Sequence, residues 1–150
     1  MAGIASEAFA TWTVHGLTCA MSFGGRCVNG YVQLPESLRS WWTHYDEMGP
    51  AFTPMELTHG PDAEGWVGFF GGSAGEVWDV ADLEAALPAF YGVELMYMQR
   101  DQDETREALG PDWTPRRVWT LAAMRAEVER LAANLARVAW EIENPGYPIE

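Results

Sequence analysis

The pattern of apolar and polar positions divides the chain into a strand-like half and a helical half. Residues 8–34 alternate with the period of strands: "FATWTVHG" and "LTCAMSF" are rich in Thr, Val, Trp and Phe, and "RCVNGYVQL" follows a turn at Gly24-Gly25. Beyond Pro35, which suits the start of a helix, Leu38, Trp41, Trp42, Tyr45 and Met48 recur at helical spacing until Gly49-Pro50 ends the segment. "FTPMELTH" and "GWVGFF" then read as two strands joined by the polar turn "GPDAE", with Met55 and Leu57 on one face of the first.

The second half starts with "DVADLEAALPAF". Asp79 is a good N-cap, Asp82 falls in the first turn, Val80, Leu83 and Leu87 form the apolar stripe, and Pro88 limits the C-terminal end. Residues 91–113 are the least regular. "VELMYM" fits a strand or a helical turn, and "RDQDETREALG" a short charged helix closed by Gly110. In the last segment Thr114 can cap and Pro115 suits the first helical position. Apolar residues then fall at 118, 121, 124, 128, 131, 135, 138 and 142. A helix over 115–143 would be about 43 Å long at 1.5 Å per residue. That exceeds what a globule of this size requires. The stripe therefore serves packing on a sheet, pairing with a second copy of the chain, or both. The pattern predicts an α+β fold in one domain, sheet-rich over 8–71 and helical over 79–143. It contains an antiparallel sheet of about five strands, a short middle helix, an acidic helix near 79–87 and a long C-terminal helix 115–143.

Composition narrows the class. Apolar residues make up 48% of the 150, with eight Trp, six Phe and five Tyr, which excludes a disordered chain. No apolar run approaches the ~18 residues of a membrane span. "MAGIASEAFATW" lacks a basic n-region and a clean apolar stretch, so no secretory signal is expected and a cytoplasmic location follows. Cys19 and Cys27 flank "MSFGGR", which reads as a hairpin tip. Symmetric pairing would set the thiols facing each other at a distance permitting a disulfide, although cytosolic thiols are normally reduced. Without a CxxC spacing they make no zinc site.

The net charge of −13, from 22 acidic and nine basic residues, changes the picture more. All nine basic residues are Arg. Such a chain is repelled by nucleic acid unless it carries a local basic groove, and the densest basic spot is only Arg116-Arg117 with Arg125. Neither nucleic acid nor a membrane is an expected partner. Acidic residues at Asp46, Glu47, Glu76, Asp79 and Asp82 could form a binding face for a basic groove on another protein.

The stretch "GWVGFFGGSAGEVWD" (65–79) has the strand, glycine loop and helix order of a phosphate cradle. It lacks the Lys of a P-loop, its glycines at 65, 68, 71, 72 and 75 do not match G-x-G-x-x-G, and Glu76, Asp79 and Asp82 already occupy the helix start. The expectation is a glycine corner. His44, His59 and Glu56 could assemble a metal site, without any i, i+4 spacing to support it. Cys19 and His15 on one strand face stand about 13 Å apart at 3.3 Å per residue, too far for a nucleophile pair. No catalytic constellation, metal or cofactor is expected. Eight Trp are a heavy load for one core: they either pack in it or, for at least two of them, serve a binding surface. A ligand pocket of Trp41, Trp42 and Tyr45 with Arg116, Arg117 and Arg125 would suit stacking on a base and pairing with phosphates.

Three stretches, "GYVQLPESLRSWWTHYDEM" (30–48), "GWVGFFGGSAGEVWD" (65–79) and "WTLAAMRAEVERLAANLA" (119–136), resemble a family of small phage and prophage proteins from GC-rich, actinobacterial-type hosts. That family carries "GYV-x-VP" leading to "YDD", then "W-x-GFD-x-AH-x-GD", then a closing "VRAEVERLA-x-QL". The likeness covers about two thirds of the chain in the same order. In this chain Phe70 stands at the family's Asp, Ser73 near its His, and Glu76 at its last Asp. The resemblance implies a viral accessory protein acting on host processes or host defence. With the acidic charge, it leads to the expectation of a non-enzymatic inhibitor of a host defence protein or its effector complex, such as a CRISPR effector. The alternatives are a protein that sequesters a nucleotide signal of host immunity and, further off, a metal-dependent hydrolase.

Overall fold

The computed structural model of the chain describes residues 3–24, 27–40, 42 and 57–146. A single helical turn, α1 (Ile4–Glu7), leads into an antiparallel sheet of β1 (Ala10–Val14), β2 (Leu17–Gly24), β3 (Cys27–Gln33) and β4 (Trp66–Phe70), in the order β1-β2-β3-β4. His15 and Gly16 make the two-residue turn between β1 and β2, with φ of 53° and 76°. Positive φ at both positions matches the twist of a type I′ hairpin. Gly24 pairs with Cys27, so residues 25 and 26 alone connect β2 to β3.

This register corrects the expected cysteine geometry. Cys19 lies opposite Val32 and Cys27 opposite Gly24, so the thiols do not face each other and both are free. The chain turns two to three residues later than a hairpin centred on "MSFGGR" would.

The short middle helix is α2 (Glu36–Arg39), with Trp42 buried just after it. The expected strand "FTPMELTH" lies largely outside the described residues. Its described end makes a single antiparallel bridge, His59 to Gly68, on the far edge of β4. Among the described residues the antiparallel sheet therefore has four strands.

The helical half differs more from expectation. β5 (Glu76–Trp78) and β6 (Arg117–Trp119) form a separate two-stranded parallel sheet. Between them run α3 (Val80–Ala86), a 3-10 turn at Ala89–Tyr91, and α4 (Gly92–Leu109). Parallel strands need such a crossover. Residues 91–113, open between strand and helix by pattern, are thus mostly helix. The final helix α5 (Leu121–Glu143) begins six residues later than 115–143. Thr120 is its cap, accepting from the Ala123 N–H at 3.1 Å, because Arg117–Trp119 are drawn into the pairing with β5. Its 23 residues span about 34 Å at 1.5 Å each.

Met124, Val128, Leu131, Ala132 and Leu135 of α5 are buried against the sheet, chiefly β3 and β2. This consumes most of the apolar stripe within the chain and leaves Trp140 and Ile142 exposed near its end. Gly30 of β3 lies directly beneath α5. A Cβ there would collide with the Val128 side chain and stand 3.0 Å from Met124 Sδ. Gly30 thus lets helix and sheet approach closely, a use of glycine independent of φ.

Gly30→Ala is accordingly expected to destabilise the protein by about 1–3 kcal/mol, the usual range for overpacking. Val128→Ala in the same chain should recover part of that loss, since it removes the colliding methyl. Urea unfolding of the two single variants and the double variant checks this. Strictly additive losses would contradict the contact.

Candidate functional site

The 65–79 stretch is a corner. β4 ends at Phe70, and Gly71 turns the chain back: its N–H donates to the Val28 carbonyl at 3.1 Å and its carbonyl accepts from Trp78 Nε1 at 2.6 Å. A Cβ on Gly71 would stand 2.6 Å from the Val28 carbonyl oxygen and 2.7 Å from the Trp78 ring. The glycine is therefore required by close approach. The loop feeds β5, and the helix start follows only at Asp79. The glycines are separated from any helix N-terminus by a strand, which removes the geometry of a phosphate cradle.

The three described members of the predicted acidic face work inside the fold. The Glu76 side chain is only 5% exposed, and its carboxylate accepts from Trp119 Nε1 and Arg116 Nη2, both at 3.1 Å. Asp79 caps α3 by accepting from the Asp82 N–H at 3.1 Å. Asp82 reaches across to accept from the Leu121 N–H at 2.8 Å, satisfying a free donor in the first turn of α5. Glu76 is thereby removed from solvent, whereas Asp79 remains exposed. Asp46 and Glu47 lie outside the described residues.

Each arginine of the predicted pocket has a partner within the fold. Arg116 pairs with Glu76. The Arg117 guanidinium lies 3.6 Å from the centre of the Trp119 ring and 3.6 Å from Glu127 Oε1. Arg125 stands over Trp12 at 4.6 Å and pairs with Glu129 at 3.4 Å. Each guanidinium already faces a carboxylate. Trp42 is 1% exposed and belongs to the core, so it offers no stacking face to a ligand. Trp41 and Tyr45 lie outside the described residues.

The thiols give no reactive centre. Burial is the main cause that pushes Cys19 up to about 12 and Cys27 up to about 11, which leaves both as inert thiols at neutral pH. His44 and Glu56 lie outside the described residues. Among the described residues no group of three or more His, Cys, Asp or Glu is placed to hold a metal ion. His59 instead contacts Asp62 at 3.2 Å and meets the Tyr31 ring edge-on. Asp62 turns its other oxygen to the N–H groups of Glu64 and Trp66, each at 3.0 Å. Partial burial alone would raise the Asp62 carboxyl. The hydrogen bonds from Trp66, His59 and Glu64, with the charge of His59, outweigh it and hold the group below its ordinary value. The cluster braces the loop that enters β4. Among the described residues no helix is long and apolar enough to cross a membrane.

The solvent-facing acidity lies where the pattern was least regular. From Asp79 to Leu109 the chain carries eight carboxylates against two arginines, a net of −6 out of −13. Glu84 on α3 and Glu94, Asp103, Glu104 and Glu107 on α4 are exposed. Phe90, Val93 and Met96 are also exposed beside them, at 75%, 61% and 59%. Composition marked the acids of this stretch. That Asp103, Glu104 and Glu107 share one side required knowing that 92–109 is helical.

Variants at two positions check the structural roles. Glu76→Ala leaves the buried Trp119 N–H without its acceptor and should cost about 1–3 kcal/mol, while Glu76→Gln, which keeps an acceptor, should recover most of it. Equal losses in both would assign the effect to charge instead. Asp62 has a depressed carboxyl, so its stabilising contribution is complete above the unfolded value near ~3.9 and disappears as pH falls through the lower folded value. Asp62→Asn should thus lower the urea midpoint at pH 6 and approach wild type at the lowest pH. A difference constant with pH would contradict it.

No protein-family model matches the chain, and no curated protein or solved structure matches it either.

Proposed function

We propose that this chain is a phage- or prophage-encoded binding protein, without enzymatic activity, that inhibits a host defence factor in the host cytoplasm. Its acidic surface would occupy a basic groove with which the target otherwise holds nucleic acid. The observation that carries this reading is the net charge of −6 on residues 79–109, the stretch that holds α3 and α4, with most of its carboxylates facing solvent. A concentrated like-charge face costs stability through self-repulsion, steers an oppositely charged partner, and repels nucleic acid itself. The order of motifs shared with small phage proteins supports the setting in a host cell. The nucleotide-sequestering alternative receives less support, since Arg116, Arg117 and Arg125 are each held against a carboxylate.

The test is retention from a GC-rich bacterial lysate on the immobilised protein at about 50 and about 500 mM salt, where the screening length falls from above to below ~10 Å. The expected result is a nucleic-acid-binding protein retained only at low salt and displaced by added DNA. No retained protein, or a thermal shift with cyclic nucleotides in its place, would overturn the reading.

A further inference from the structure

We propose that the groove between α3 and α4 is a docking site for a basic amphipathic helix of a partner protein. This rests on the binding-protein reading above and specifies its surface. The groove has a volume of about 600 Å³; Val80, Leu95 and Met96 contribute its apolar floor, and Glu84, Asp103 and Glu107 stand at its rim. Arg100, also at the rim, is paired with Glu104 at 3.2 Å, which leaves the rim strongly negative.

Two features of α4 separate this surface from an ordinary solvated helix face. Val93, Met96 and Tyr97, three and four residues apart, share one side of the helix and are exposed together, with Phe90 exposed just before them. Of the 18 residues of α4, Leu95 and Met98 are buried, so Val93 and Met96 lie outside the core. Further along, Glu107 sits in the last turn, where the helix dipole disfavours a carboxylate. Along α4 the groove therefore runs from apolar lining at Leu95 and Met96 to acidic lining at Asp103, Glu104 and Glu107.

That gradient selects the occupant. A nucleic acid is repelled by the rim. A second copy would bring another chain of net charge −13 against it, and each like-charge contact at 4 Å costs on the order of 4 kcal/mol at an effective dielectric of 20. The groove walls are two helices, so an extended peptide finds no strand edge to pair with. A helix with apolar anchors at i, i+3, i+4 and i+7 on one side, and Arg or Lys toward one end, complements both the floor and the rim. The thioether of Met96 adapts to different anchors.

The test uses a fluorescein-labelled peptide of about five helical turns, with leucines at those spacings and arginines concentrated toward one end. Binding is followed by anisotropy at about 50 mM salt. Met96→Asp, and separately the charge reversal Glu84→Arg, Asp103→Arg and Glu107→Arg, should each weaken binding by about tenfold or more. A scrambled peptide of the same composition should bind weaker by a similar factor. An equal reversal on other faces, Glu36→Arg, Glu141→Arg and Glu143→Arg, should leave affinity within about twofold. Circular dichroism confirms that each variant is folded, and Met96→Ala serves where Met96→Asp is not. Equal loss in the two triple variants, or no effect of either Met96 variant, would overturn the groove as the site. Failure of the wild type to bind the peptide would overturn the docking proposal alone. The acidic-face reading stands or falls separately, on salt-sensitive retention of a nucleic-acid-binding protein.

Discussion

The parallel pairing of β5 with β6 is the constraint on which the helical half depends. It consists of three residue pairs, Glu76 with Arg117, Val77 with Val118 and Trp78 with Trp119. Three pairs alone would be marginal, and side chains reinforce them. The Trp78 and Trp119 rings stack with centroids 5.8 Å apart and an interplanar angle of 16°. Glu76 holds the Trp119 indole N–H. Gln102 of α4 completes the free edge of β5, accepting from the Trp78 N–H at 2.7 Å and donating to its carbonyl at 3.0 Å. The side-chain amide thus takes the place of a third strand. Through this pair the start of α3, the middle of α4 and the start of α5 are fixed relative to one another, and α5 carries that arrangement onto the sheet at Gly30.

The parts of this fold that were legible in the sequence are those whose signal is local. The strands over 8–34 show their period within a few residues, and Asp79 caps its own helix from three residues away. β6 was not legible because its warrant is remote. Arg117-Val118-Trp119 continues the apolar spacing of α5 well enough to pass as helix, and only the partner strand, with Glu76 43 residues distant from Trp119, draws it out. Once those residues are strand, Thr120 caps α5 in place of Thr114. α4 was obscured for a different reason. Its apolar residues at 93 and 95–98 run almost consecutively, and no 3.6-residue stripe emerges because several of them face solvent.

The same distinction separates the acidic residues. Their identities could be read directly, but their uses could not. Glu76, Asp79 and Asp82 fall at suggestive spacing for one surface, yet each meets backbone or indole N–H groups of the fold. Asp82 serves α5 rather than its own helix. A carboxylate's role is set by which donor the tertiary structure leaves unsatisfied nearby, and the first turn of α5 presents such donors just where α3 passes. The acids with no such task, toward the end of α4, belong to the stretch that had no clear pattern.

The stability of the protein and the character of its acidic face are in this way carried by different residues. Burial of α5 on β2 and β3 supplies the large apolar contribution, at about 1.5–3 kcal/mol for each fully buried Leu, Val or Met. α4 contributes two buried side chains and is held at mid-length by the Gln102 amide. Its outward positions can therefore hold apolar and acidic residues that a core helix could not tolerate, because substitutions there leave the Gly30 contact and the β5–β6 pairing untouched. Anchoring through one half-buried amide and two apolar side chains leaves a long helix whose exposed side can change without unfolding the chain that presents it.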